Sequence, residues 1–356
     1  AGSAMTCYNY PEHTLKAIAE QCAAAGQPRP RLVWALDGDK AGRSQTLKHV
    51  ERARTSGWEC TAAQIPQRRK GKLDWNDMHQ RARLEKKDIE EYAYQGALLL
   101  AENAQEKALL MYRRGGWNAF SFEFDSRLWW FKLDLDRYSK VREQYQDDSS
   151  KTDEEKRDLA LSESNTVIEI ANCYPTALYY QANLLTDESW YYFRIDFPHD
   201  GASVNNTFTG GQLSSPSEFK KRLLSIAPGA VFTGTAGQLD TMLKKWLARI
   251  RTVETVDYIG YAKEHGAWVF NTLAVKDGKT IPLNDEDFFD IGRLSIKSLN
   301  RSVDLAVNTD LKDFSTEWLA LLWQCYHHKG VVSLAYWLGA LFAEQIRARY
   351  KSFPFV

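Results

Sequence analysis

The spacing of hydrophobic and polar positions changes several times along the chain, and each change marks an element. Residues 11–26 (PEHTLKAIAEQCAAAG) read as a short helix that Pro11 opens and Gly26 stops, followed by a Pro-containing turn at Gln27–Arg31. Leu32-Val33-Trp34-Ala35-Leu36 is an uninterrupted apolar run, the pattern of a central parallel strand buried on both faces. Residues 41–56 read as a helix closed by Gly57, and Trp58–Ile65 as a second strand. The three elements make a β-α-β unit with the usual right-handed crossover. Asp37 then falls at the carboxyl end of a parallel strand, where open α/β sheets collect their ligands.

From about Arg81 to Arg114, Ala, Leu, Glu and Lys dominate with few breakers, which predicts a helical connector. The period drops to two at Ala119, where Phe120, Phe122 and Phe124 alternate with polar residues. After Asp125-Ser126-Arg127 the run Leu128–Leu135 completes a β-hairpin. The charged stretch Arg142–Asp158 reads as a solvated helix or linker. Short strands are expected at Ala177–Leu185, Trp190–Phe197, Thr207–Gly211, Ala230–Gly234, Val256–Tyr261, Trp268–Val275 and Thr280–Pro282, with helices near Pro216–Ile226 and Ala236–Arg251. Helix returns over Ser315–Tyr350. Within it, Val331–Ala343 is too short for a membrane span and reads as a buried helix, and Phe353–Val356 reads as the start of another strand. The predicted fold class is α/β, a parallel sheet with flanking helices, followed by an α+β domain and a C-terminal helical segment. Its expected divisions are 1–88, 89–165, 166–300 and 301–356.

Composition narrows the function classes. The 356 residues, 44% hydrophobic and 13% aromatic, suffice for two or three packed domains and exclude global disorder. The formal net charge is zero, so attraction for nucleic acid has to come from local patches. Residues 1–90 supply one, with 16 Lys/Arg against 11 Asp/Glu. The five cysteines are scattered and form no C-x-x-C, which points away from a disulfide framework and from zinc, and toward a reducing cytoplasm. No signal-peptide pattern opens the chain.

The chemistry concentrates in Asp37-Gly38-Asp39-Lys40-Ala41-Gly42, a D-x-D-x-x-G motif. Two carboxylates two residues apart in extended chain point to the same side and can reach one hard cation through oxygen. Gly38 and Gly42 are expected to allow a tight turn and close approach of a phosphate, beside the N-terminus of the next helix. An EF-hand is rejected, because Ala41 and Lys48 stand where ligands are required. A haloacid-dehalogenase-type phosphatase also has D-x-D after a buried strand, but with Thr where Ala41 stands; a plain Asp-Gly turn needs no metal at all.

The setting of the motif tilts this choice. LVWALDGDKAG, then a helix, a strand and K-x-D-W-N-D at Lys72–Asp77, closely resembles the Toprim domain of plasmid, phage and mobile-element primases, and Ala4–Pro11 resembles the segment after the first Toprim strand. The resemblance implies Mg²⁺ (or Mn²⁺) on Asp37 and Asp39, with Asp74 or Asp77 contributing directly or through water. It also implies nucleotidyl transfer or phosphodiester cleavage, with DNA, in single-stranded form, and nucleotides as partners. Lys40, Arg43, Arg68, Arg69, Lys70 and Lys72 are the candidates for holding phosphates; a solvated basic loop is the alternative for the last five. A complete Toprim domain also begins with a strand ending in a catalytic Glu, expected upstream of Ala1, so the chain is expected to be a fragment and its catalytic residue stays unknown.

Residues 174–290 resemble, more loosely, the domain that precedes the ATPase core in helicase-like proteins of mobile elements, on TFTGGQLSSPSEFKKRLL (207–224) and VDYIGYAKEHGAWVF (256–270). That implies an ATPase in the same parent chain, beyond Val356; no G-x-x-x-x-G-K-[ST] lies within these residues, so no ATP site is expected here. Non-catalytic DNA binding and a Toprim nuclease are the alternative functions. Trp129, Trp130, Trp190, Tyr191, Tyr192 and Phe193 suit core packing better than base stacking. His327-His328 lacks a third ligand at zinc spacing and reads as a helix-end pair, and Gly210-Gly211 as a turn.

Overall fold

The computed structural model describes residues 11–67, 73–183, 188–198, 201–256, 258–284, 286–291, 294–298, 308 and 310–353. The chain divides into two compact units, residues 1–124 with 129–169, and residues 125–128 with 170–356.

The first unit starts with α1 (Glu12–Ala24), β1 (Leu32–Trp34), α2 (Lys40–Thr55) and β2 (Cys60–Ala62). β1 and β2 pair in parallel, Leu32 opposite Cys60 and Trp34 opposite Ala62, so the expected β-α-β unit forms. Both strands are shorter than the apolar runs that predict them. Burial on both faces is a correction: Leu32 and Trp34 pack with Leu15, Val50, Ala53 and Trp58, whereas Val33 on the opposite face is 55% exposed. The next long helix, α4 (Lys86–Leu100), lies over β2 instead of β1. A Cβ on Gly96 would sit 1.9 Å from the Ala62 carbonyl oxygen, so only glycine permits this approach.

The expected connector over 81–114 is also corrected. A short α3 (Trp75–Gln80) precedes α4, and α5 (Ala104–Gly115) is a separate helix. Asn103 breaks the run, because its Oδ1 accepts from the Glu106 N–H at 2.9 Å and caps α5. Helix propensity summed over a window does not register such a side chain. β3 (Ala119–Phe124) and β4 (Arg127–Leu133) form the expected hairpin, with Asp125 and Ser126 both at φ 52°. That is the backbone of a type I′ turn, whose twist matches paired strands. The charged stretch resolves into α6 (Leu135–Gln144) and α7 (Asp153–Ser164), and β5 (Asn165–Ala171) completes a sheet of order β3-β4-β5. Phe120 stacks on Phe131 at 4.8 Å inside a core that Ala104, Ala108 and Leu161 close.

The second unit is built on six strands in the order β14-β15-β9-β6-β7-β8. They are β6 (Tyr174–Asn183), β7 (Glu188–Asp196), β8 (Val204–Phe208), β9 (Arg251–Val256), β14 (Phe289–Ile291) and β15 (Leu294–Ser298). β9 runs parallel to both β6 and β15. The helix expected to reach Arg251 therefore stops at Leu247: RTVETV is rich in β-branched residues and is taken by the sheet. Gly210-Gly211 opens a four-residue helix, α8 (Gly210–Leu213), capped by Thr209, in place of a bare turn. α9 (Pro216–Ile226) and α10 (Ala236–Leu247) bury Phe193, Phe208, Phe219 and Phe232 in a chain of ring contacts that Trp246 joins. Trp130, Tyr192 and Phe193 are buried, as their core reading requires, whereas Trp129, Trp190 and Tyr191 are half-buried. β10 (Gly260–Ala262), β11 (Ala267–Val269), β12 (Leu273–Lys276) and β13 (Lys279–Pro282) make an antiparallel meander.

The C-terminal helices α11 (Glu317–Leu341) and α12 (Ala343–Tyr350) form, but the buried character expected of Val331–Ala343 does not hold. Val332 is 61% and Trp337 59% exposed, and among the described residues of α11 only Gly330 is buried. A helix apolar around its whole circumference has no single stripe that one neighbour can cover. His327 and His328 are exposed, and His327 leaves helical geometry at φ 48°, which breaks α11 there. Phe353 is not in a strand, and residues 354–356 of that expected strand lie outside the described residues. No described helix is long and apolar enough to cross a membrane.

Candidate metal centre

β1 ends at Trp34, and Ala35-Leu36 carry the chain to the first carboxylate, Asp37. Asp39 is extended (φ −77°, ψ 174°) and caps α2, its Oδ1 accepting from the Gly42 N–H at 2.8 Å. The two glycines allow the tight turn expected of them, by close approach to the protein's own backbone. A Cβ on Gly42 would sit 2.1 Å from the Asp37 carbonyl oxygen, and one on Gly38 2.3 Å from that of Ile65. Both therefore serve the protein's own backbone, folding the acidic turn onto itself and onto the chain leaving β2. Thr46 Oγ1 donates to the Gly42 carbonyl at 2.8 Å and accepts from the buried Gln64 Nε2 at 3.1 Å, which fastens the turn to β2.

The second acidic segment is brought to the same place by packing. Trp75 Nε1 donates to the Leu36 carbonyl at 3.4 Å, and its ring meets Tyr92 edge-on at 5.4 Å, over a cluster of Ala63, Ile65 and Met78. Asp74 and Asp77 cap α3 reciprocally: Asp74 Oδ1 accepts from the Asp77 N–H at 2.7 Å, and Asp77 Oδ2 accepts from the Asp74 N–H at 3.2 Å. Asp74 is the member whose charge acts on Asp37. The Asp37 carboxyl is raised above the ordinary aspartate value by partial desolvation, then by Asp39, then by Asp74, although it remains open to solvent.

Two carboxylates whose charges act on a third, Asp37, make a place that a cation would relieve. The described residues nevertheless include no group of three His, Cys, Asp or Glu gathered closely enough to enclose a metal. The two observations agree once capping is considered. Asp39 and Asp74 each turn an oxygen onto a helix N-terminus, and repulsion reaches farther than a coordination bond. An open set of carboxylate oxygens suits Mg²⁺, which keeps several waters and is held through one or two carboxylates.

Lys40 and Arg43 stand exposed on the first turns of α2 beside Asp39. Arg68, Arg69, Lys70 and Lys72 lie outside the described residues. The sequence reading missed Gln64, Thr46 and Trp75 as supports of the turn, because a lone amide, hydroxyl or indole carries no spacing signal.

Residues 4–79 match the family model described as Toprim-like. That stretch is a Toprim-like domain. Domains of this kind generally bind Mg²⁺ and act on DNA, in metal-dependent nucleotidyl or nuclease chemistry. No curated protein matches the chain.

Proposed function

We propose that the Toprim-like domain holds Mg²⁺ on Asp37, Asp39 and Asp74 and serves nucleotidyl transfer during DNA replication, as the primase part of a cytoplasmic primase-helicase of a mobile element. The observation that carries this reading is the joining of the two acidic segments beyond the parallel β1–β2 pair, where Trp75, beside Asp74, donates to the carbonyl of Leu36, beside Asp37; partial burial, then Asp39 and Asp74, raise the Asp37 carboxyl there. Bound there, the cation supplies neutralisation of charge that develops on phosphate oxygens. The chain's own residues do the rest. Asp37 and Asp39 offer hard oxygen ligands, and Lys40 and Arg43 attract phosphate beside them. The basic run Arg68, Arg69, Lys70 and Lys72 adds charge for a single-stranded template and nucleotides. The second unit, under this reading, belongs to the helicase-associated part that precedes an ATPase in the parent chain.

A DNA-binding role without chemistry is favoured by one observation, the commitment of Asp39, Asp74 and Asp77 to helix caps. Primer synthesis and nicking on single-stranded template with Mg²⁺, for the full-length parent protein and for its Asp37→Ala and Asp39→Ala variants, separate the readings. Synthesis lost in both variants supports the proposal. Synthesis unchanged in both overturns it, nicking without synthesis assigns a nuclease, and DNA binding without either assigns a scaffold.

A further inference from the structure

One side chain closes the segment between β2 and α3. Gln67 Nε2 donates to the Leu73 carbonyl at 2.8 Å, and Gln67 Oε1 accepts from the Leu73 N–H at 2.9 Å, so the amide pairs with residue 73 as a neighbouring strand would. The same Nε2 lies 3.4 Å from the Ile65 carbonyl. A Cβ on Gly38 would come within 2.6 Å of it, so the amide is pressed against the glycine between Asp37 and Asp39. Leu73 immediately precedes Asp74, and Trp75 on the other side of Asp74 donates through Nε1 to the carbonyl of Leu36, the residue before Asp37. A single amide therefore touches the middle of the first acidic motif and fixes the residue that opens the second.

We infer that Gln67 is a positioning residue of the metal centre, holding Leu73 so that Asp74 stands beside Asp37 and Asp39. The inference rests on the metal-binding reading of those aspartates. The chemistry requires glutamine: the pair needs a donor and an acceptor in one plane at this reach. A glutamate carboxylate offers only acceptors and would face the carbonyls of Leu73 and Ile65. Side chains that orient metal ligands typically govern affinity by about 10- to 100-fold. Gln67 is itself exposed, so its loss should move the melting temperature little while moving metal affinity substantially.

The test is a double-mutant cycle on the full chain, with Mn²⁺ affinity read by calorimetry and folding followed by circular dichroism. Gln67→Leu and Gln67→Glu should each weaken Mn²⁺ about tenfold. In an Asp74→Asn background, Gln67→Leu should change affinity less than about twofold, because its effect passes through Asp74. Unchanged affinity in Gln67→Leu, or an equal loss with and without Asp74, overturns the inference. Should Gln67→Leu fail to fold, Gln67→Glu with and without Asp74→Asn decides by the same criteria. A folded wild type that binds no Mn²⁺ overturns the underlying metal reading instead, which keeps the two failures apart.

Discussion

Trp75 Nε1 donates to the backbone carbonyl of Leu36, the residue before Asp37, and so the indole of the second acidic segment is anchored on the approach to the first. Trp75→Ala should remove this contact and the packing on Tyr92 together. For a half-buried indole the expected cost is about 2–3 kcal/mol, measurable as a lower urea midpoint with unchanged slope. Trp75→Phe keeps a ring over Tyr92 and loses only the N–H, so it should cost about 1 kcal/mol.

Gly42 and Gly237 lie in helices but meet opposite surroundings. At Gly42 a Cβ would collide with the Asp37 carbonyl, whereas nothing lies within 4 Å of one at Gly237. Gly42→Ala should destabilise by about 2–4 kcal/mol despite its better helix propensity, and should weaken Mn²⁺ binding by displacing Asp37. Gly237→Ala, in the first turn of α10, should stabilise by about 0.5–1 kcal/mol. Denaturant titration of both variants checks the contrast.

Asp37 gives a pH dependence of defined sign. Its folded-state carboxyl titrates above the unfolded value near 3.8, so the native state binds its proton more tightly. This group's contribution favours folding at low pH and is lost as pH rises through its folded-state titration. Without metal, Asp37→Asn should therefore be more stable than wild type at neutral pH, by thermal melting. The same variant should lose Mn²⁺ binding. In the wild type, Mn²⁺ affinity should begin to fall, as pH is lowered, at a higher pH than an ordinary aspartate would produce, because the ligand must be ionised.

The β3–β4 turn carries two non-glycine residues, Asp125 and Ser126, at φ 52°. Ser126→Gly should relieve the left-handed conformation and create the Asp-Gly pair preferred in type I′ turns, stabilising by about 0.5–1 kcal/mol. Ser126→Val should do the reverse, since a β-branched residue tolerates positive φ poorly. Thermal unfolding of both variants gives the comparison.

Much of the α/β reading was legible because local patterns report local structure. Pro11 and Gly26 bracket α1 as their positions predict, alternating phenylalanines mark β3, and an apolar run followed by helix and strand yields the parallel β1–β2 pair. Readings that depended on a neighbour fared differently. Leu32–Leu36 carries no sign that α4 will settle on β2 and leave Val33 in solvent. Val331–Ala343 carries the apolarity of a buried helix, yet burial requires a partner surface. The Ala101–Asn103 break was hidden because one capping side chain outweighs a favourable average.

For the candidate centre, the sequence alone determined which carboxylates could matter, since D-x-D after an apolar run and Asp74 and Asp77 downstream are facts of order and spacing. The tertiary structure decided how they are disposed. It turned Gly38 and Gly42 toward the protein's own carbonyls and placed Asp74, which caps α3 together with Asp77, within electrostatic reach of Asp37. It also set the Gln67 amide between the two acidic segments. Spacing along a chain constrains a turn or a strand, but residues 37 positions apart come together only when the core beneath them packs. Here that core is Ala63, Ile65, Met78 and Tyr92, and the electrostatics of Asp37 follow from it.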